Sequence, residues 1–356
     1  MLDYQNLNYT ALSDKTVSRK HFNEDQLALS GIKNNFSQTI MAVTLLMLLM
    51  LWGAPMAVGR KPIAVVVTAF VVTTIFAVPA FIIQISMNRQ KYRLLKFALD
   101  NNALYFAAKQ SPPSGPIMFD IGDFRYQTET IIFPGGATLA KYEYSFQRKS
   151  TKDPSSFSRG GILSFLFPHK ITNLSDNGSR PHRFNFMEVK LPRAVLHLFI
   201  NSKKNAVNPN TSNYKVQKLK LEGDFGECFE VLAPPDYHID ALQILTPNVM
   251  AAMMDYGQKY DFELIDDNLY IYQTGGTPMD SAEAMQQFLT AVATIATQFG
   301  KQAKTYSDVR AGSVASGSVA YEGARFERRD IVWTGVVVAM MMIFFILYLV
   351  FSFMIR

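Results

Sequence analysis

The residues able to do chemistry are few, and their spacing is poor. The five histidines (His21, His169, His182, His197 and His238) never fall at HxH, HxxxH or HExxH spacing. Cys228 is the single cysteine and has no CxxC partner. Zinc needs three or four converging ligands, so no metal site is expected. Asp224-Phe225-Gly226 spells the metal-binding triplet of protein kinases. It comes without a glycine-rich phosphate loop, a VAIK-type lysine or an HRD loop. It therefore reads as a turn after KLKLEG, with Phe225 and Phe229 in the core. No GxxxxGK[ST] loop or GxSxG elbow occurs. Asp120/Asp123 and Asp266/Asp267 could act as carboxylate pairs, but aspartate more often turns the chain by bonding its own backbone. His197, in AVLHLFI, reads as a half-buried strand residue. No catalytic residue and no cofactor is expected.

The elements around these residues follow from composition. Of 356 residues, 49% are hydrophobic and 18% charged, against about 25% charged in ordinary soluble domains. Stretches 36–58, 62–87 and 331–355 contain no Asp, Glu, Lys or Arg. Each reaches the roughly 20 residues that a membrane-crossing helix needs. The first follows some 35 polar residues and so is read as a retained anchor rather than a cleaved signal. Lys15, Arg19, Lys20 and Lys33 precede it, Arg89, Lys91, Arg93 and Lys96 follow the second stretch, and Arg325, Arg328 and Arg329 precede the third. By the positive-inside rule these place the N-terminus and residues 88–330 in the cytoplasm, although Arg60 and Lys61 count against it. The absence of internal disulfides agrees with that compartment. The net charge of +6 requires no nucleic acid, since basic groups beside apolar stretches suit anionic lipid.

The expected fold class is an α+β cytoplasmic domain plus three transmembrane α-helices, an N-terminal hairpin and one C-terminal span. Residues 1–35 form a mobile tail, 36–87 the hairpin, 88–303 the domain, 304–330 a flexible linker and 331–356 the last span. Within the domain, residues 88–102 predict a helix ended by Asn101-Asn102. KYEYSF, with Tyr142, Tyr144 and Phe146 on one side, predicts a strand. Thr246-Pro247 predicts an N-cap with proline at the first helical position. YDFELIDDNLYIYQ reads as a hairpin turning at Asp266-Asp267-Asn268. Residues 280–303 predict a helix whose core face is Met285, Phe288, Leu289, Val292, Ile295, Ala296 and Phe299.

Leu221, Glu222, Gly223, Asp224 and Phe225, followed by Pro235, Tyr237, Asp240, Ala241, Leu242, Thr246, Pro247 and Met250, form a block with specific spacing. With LKFALDNNALYF and FNFMEVKLPRAVLHLFI, it resembles a family of uncharacterised bacterial multi-pass membrane proteins over roughly residues 85–275. The resemblance implies a membrane hairpin followed by a cytoplasmic domain. It carries no activity and no catalytic residue. Loop 149–183 departs from that pattern. It holds SRGGILSFLFPHK, whose Ile162, Leu163, Phe165, Leu166 and Phe167 form an apolar patch between polar flanks.

The function expected is a non-catalytic interaction or assembly module in the plasma membrane. Its partners would be the lipid bilayer and a protein partner or second copy, without nucleic acid. The patch at 162–167 is the candidate contact with membrane or partner. Two alternatives stand beside this: a membrane-associated enzyme drawing on Asp120, Asp123, His197, Asp224 or His238, and lipid-surface binding through the 158–170 loop.

Overall fold

The computed structural model describes residues 6–32, 86, 88–146, 182–205, 209, 211–221, 223–274, 278–311, 319–329 and 341–343. The apolar patch at 162–167 lies outside them.

Among the described residues, seven strands form one sheet, paired antiparallel throughout. They are β1 (Leu104–Phe106), β2 (Phe124–Ile132), β3 (Thr138–Ser145), β4 (His182–Ser202), β6 (Gln217–Leu219), β7 (Phe229–Ala233) and β8 (Tyr260–Gln273). The short strands β5 (Tyr214–Lys215) and β9 (Glu327–Arg328) pair separately. The hairpin joining β2 to β3 turns at Pro134-Gly135-Gly136, where Gly135 and Gly136 adopt φ of 91° and 87°. Only glycine takes such angles without steric cost.

The spine is a pair of long strands that the sequence reads as fragments. β4 runs unbroken through 21 residues, carrying both FNFMEVKL and AVLHLFI across the intervening proline and arginine. β8 runs through 14 residues, where a hairpin was expected. Asp266 adopts a left-handed φ of 54°, but it kinks the strand instead of reversing it. β4 bulges opposite: Lys190 pairs with Asn268, and the next partner pair is Val195 with Asp266. Pro192, which has no N–H for a ladder, lies inside this bulge. The kink shifts the side-chain alternation of both strands, so Phe184, Phe186, Tyr270 and Tyr272 share a face with His197, Phe199, Glu263 and Ile265.

Both faces of the sheet are covered. The helix Ala282–Thr305 packs on one, and all seven residues of its predicted core face are buried. Ser281 caps it by accepting from the Ala284 N–H at 3.1 Å. Pro247 opens the helix Pro247–Tyr256 as expected, but the Thr246 hydroxyl caps nothing and is buried without a partner. The second face carries an aromatic core of Phe119, Tyr142, Phe184, Phe186, Tyr272 and Phe326. Phe119, in the 3₁₀ turn Ile117–Asp120, sits at its centre, with Phe186 4.7 Å and Tyr142 5.1 Å away between ring centroids.

Residues 6–32, read as a mobile tail, fold onto the domain. Leu12, Val17, Phe22 and Leu27 are buried in the main core. Their irregular spacing gave no periodic signal. Asn23 caps the helix Glu24–Ser30, with the Gln26 side chain accepting from the Asn23 N–H. The helix through 88–100 ends at Asn101, whose side-chain amide donates to the Phe97 and Asn8 carbonyls.

The expectation of three transmembrane helices is corrected. Among the described residues no helix is long and apolar enough to cross a membrane. Ala282–Thr305 has the length, at 24 residues. Its far face is polar, and it carries Glu283, Lys301 and Lys304. A multi-pass architecture is therefore not supported, and the fold is a mostly antiparallel sheet with helices. Stretches 36–58 and 62–87 (except Ser86) and 331–355 (except 341–343) lie outside the described residues.

Phe288 is buried between that helix and the sheet, edge-on to Tyr260 at 5.4 Å. Phe288→Ala should cost about 3–5 kcal/mol through transfer and cavity terms, read as a lowered thermal midpoint of the full chain in mild detergent.

Candidate functional site

The most concentrated polar chemistry lies inside the second face. Glu263 is fully buried and collects three hydrogen bonds. Its Oε1 accepts from the Ile117 backbone N–H at 2.7 Å and from His197 Nε2 at 2.8 Å. Its Oε2 accepts from the Tyr272 hydroxyl at 2.8 Å. The Phe326 backbone N–H donates to His197 Nδ1 at 3.1 Å, so the imidazole proton sits on Nε2 and points at Glu263. Burial, then the adjacent Glu263 charge, push the Tyr272 hydroxyl well above its ordinary value.

A Glu–His–Tyr group resembles a proton relay in composition, but its geometry is that of a staple. A general base needs a lone pair within reach of a substrate. Here one imidazole nitrogen is occupied by Glu263 and the other by Phe326. The Phe326 ring also covers the imidazole face at 3.8 Å. Four segments meet at this point: β4, β8, the 3₁₀ turn Ile117–Asp120, and residues 319–329.

Charged groups fasten those last residues at further points. Arg325 forms a two-pronged pair with Asp266 at 2.7 and 2.5 Å. Arg328 binds Asp120, which also accepts from the Tyr214 hydroxyl and from Arg125. Partial burial opposes ionisation of Asp120, but the hydrogen bonds from Tyr214 and Arg328 prevail and hold its pKa below the usual value. Upstream, Asp308 accepts from the Ala320 and Arg310 N–H groups and from the Tyr237 hydroxyl. Arg310 reaches Asp240 at 2.9 Å and the Asp236 carbonyl at 2.8 Å, and its guanidinium lies 4.3 Å above the Tyr237 ring. Tyr237 and Asp240, two residues of the specific block, thus receive a stretch some 70 residues further along the chain.

The remaining candidates are scattered. Asp224 precedes the short helix Phe225–Cys228, and Phe225 stacks on Phe229 at 4.8 Å. That is the core turn read from the sequence. Asp267 pairs with Lys190 at the surface. His238 begins the helix His238–Ile244 and is exposed. Among the described residues no group of three metal-ligating side chains exists. His169 and the apolar patch at 162–167 are outside them.

Two of the clefts among the described residues are shallow and polar. One, about 320 Å³, is lined by Phe199, Asn201, Ser202, Lys203, Asn205 and Glu230, among others. The other, about 390 Å³, lies between Asn8, Asp14, Val17, Lys96 and Asp100. Neither is lined by Asp120, Asp123, His197, Asp224 or His238. Behind the first sits Asp261, fully buried. Its Oδ1 accepts from the Ser202 N–H at 2.8 Å and the Asn205 amide at 2.6 Å, while Oδ2 has no partner. Burial outweighs these two bonds and pushes its pKa up to about 7.

Sequence reasoning passed over Asp261 and Glu263. They alternate with Phe262 and Leu264, the pattern of outward-facing polar residues. Glu263 is instead buried under the second aromatic layer, and Asp261 beneath Ser202 and Asn205.

No family model matches the chain, and no curated protein matches it. Among solved structures, the crystal structure of the mycobacterial trehalose monomycolate transport factor A, TtfA, is similar with a TM-score of 0.38. The identity is 8%, over 61% of this chain and 95% of that chain.

Glu263→Ala would leave three buried donors without an acceptor, each costing about 1–3 kcal/mol. The variant should release residues 319–329, read as faster tryptic cleavage after Arg325 and Arg328. For Asp261 the sign is fixed by its raised pKa. Between pH 3.8 and about 7 the folded chain keeps a proton that the unfolded chain has lost. Stability should therefore fall across that window as pH rises, by roughly 2–4 kcal/mol in all. Asp261→Asn should flatten the dependence, measured as the thermal midpoint at pH 5 and pH 8.

Proposed function

We propose that this domain is an interaction or assembly module that docks a protein surface. One observation carries the reading. The Asp308–Arg310–Tyr237–Asp240 knot gathers three chain segments, and the apolar residues beside its members face solvent. Ile239 is 62% exposed, Leu242 49%, Val309 88% and Tyr321 85%. A charge-assisted scaffold that displays large apolar groups fits a contact surface better than a solvated one. An enzyme would need the ionisable candidates convergent around a cleft. Asp120 and His197 are spent on holding segments together, and Asp224 and His238 line neither cleft.

In mild detergent, the purified full chain should run as a homo-oligomer or with a stoichiometric partner by light scattering. Val309→Asp combined with Tyr321→Ser should shift it to the free monomer while the far-ultraviolet spectrum stays the same. A wild-type chain that is already a partner-free monomer would contradict the proposal.

A further inference from the structure

A different face of the molecule carries an independent signal. Residues 10–22 lie along the helix through 88–100. Phe22 stacks on Tyr92 at 5.9 Å, and Arg93 donates to the Leu12 carbonyl at 3.1 Å. The helix buries Tyr92, Leu94, Leu95, Phe97 and Ala98. Arg89, Arg93 and Lys96 recur at spacings of four and three, so they form a stripe on the opposite side. Lys15, Arg19 and Lys20 are exposed on the segment beside it.

Over residues 6–32 and 88–100 the chain has seven cations and four carboxylates. Among the described residues, Arg19 pairs with Glu24 and Lys96 with Asp100. Lys15, Lys20 and Arg89 have no carboxylate partner there. Like charges left unpaired on one face repel, and a solvated face gains nothing from grouping them.

The partner chemistry is set by what adjoins this face in sequence. Residues 34–88, between its two segments, contain Arg60 and Lys61 as their only charged side chains and are otherwise dominated by apolar residues. A basic face beside an apolar stretch matches an anionic phospholipid surface, which presents phosphate and carboxylate groups above hydrocarbon. We propose that the face built from Lys15, Lys20, Arg89 and their neighbours docks on anionic lipid headgroups.

The test uses the full chain, diluted from detergent into preformed vesicles of phosphatidylcholine alone or with phosphatidylserine, followed by flotation. A cation near a charged surface contributes about 1 kcal/mol, or about fivefold in affinity. Phosphatidylserine should tighten wild-type binding at least tenfold at low salt. Lys15→Glu, Lys20→Glu and Arg89→Glu together should abolish that difference. Lys218→Glu with Lys220→Glu, at the edge strand β6, should leave it unchanged. Equal binding to the two vesicle types would overturn the proposal. So would an equal loss in the β6 pair, because net charge alone would then explain the attraction. If the triple variant fails to fold, amine acylation of wild-type Lys15 and Lys20 decides. Several-fold protection by phosphatidylserine vesicles supports docking, and unchanged reactivity overturns it.

Discussion

The structure depends on one buried carboxylate. Glu263 has no access to water, so its charge must be met by donors inside the protein. Those donors come from Ile117, His197 and Tyr272, on separate elements. Meeting the charge therefore requires the 3₁₀ turn, β4 and β8 to stand in one arrangement. His197 passes the constraint on, because its second nitrogen is satisfied only by the Phe326 N–H. The order of the second face follows from this chain of hydrogen bonds. Removing any member leaves a buried polar group unpaired, which costs more than the bond itself is worth.

The same constraint explains why a group with the makeup of a relay leaves neither imidazole nitrogen of His197 open. Each donor and acceptor already has a partner, and an aromatic ring closes the open side. The Asp308–Arg310–Tyr237–Asp240 knot works in the same way nearer the surface. Between them the clusters hold residues 306–311 and 319–329 against the domain, and apolar groups beside the second face outward. In both clusters charge is spent on holding shape.

What was legible in the sequence was local and periodic. The core face of Ala282–Thr305 could be read because one stripe of apolar residues repeats at helical spacing. The Asn101 helix stop, Pro247 at a helix start and the Gly135-Gly136 turn are set by single-residue chemistry. The continuity of β4 and β8 could not be read. A proline and an aspartate that usually end strands instead sit at matched bulges, which only the pairing reveals. The burial of Asp261 and Glu263 was hidden because their alternation is that of a half-exposed strand. The packing of residues 6–32 and 319–329 was hidden because isolated anchors such as Val17, Phe22 and Phe326 have no period. The membrane-crossing expectation rested on composition alone, and no described helix meets its length and apolarity together.

The central claim, that the Glu263 cluster binds the four segments into one unit, is tested most directly by amide hydrogen exchange on the full chain. The account predicts that the Ile117 and Phe326 amides exchange as slowly as the strand-core amides of Phe199 and Ile200. Exchange of either amide at the rate of an unstructured chain would contradict it.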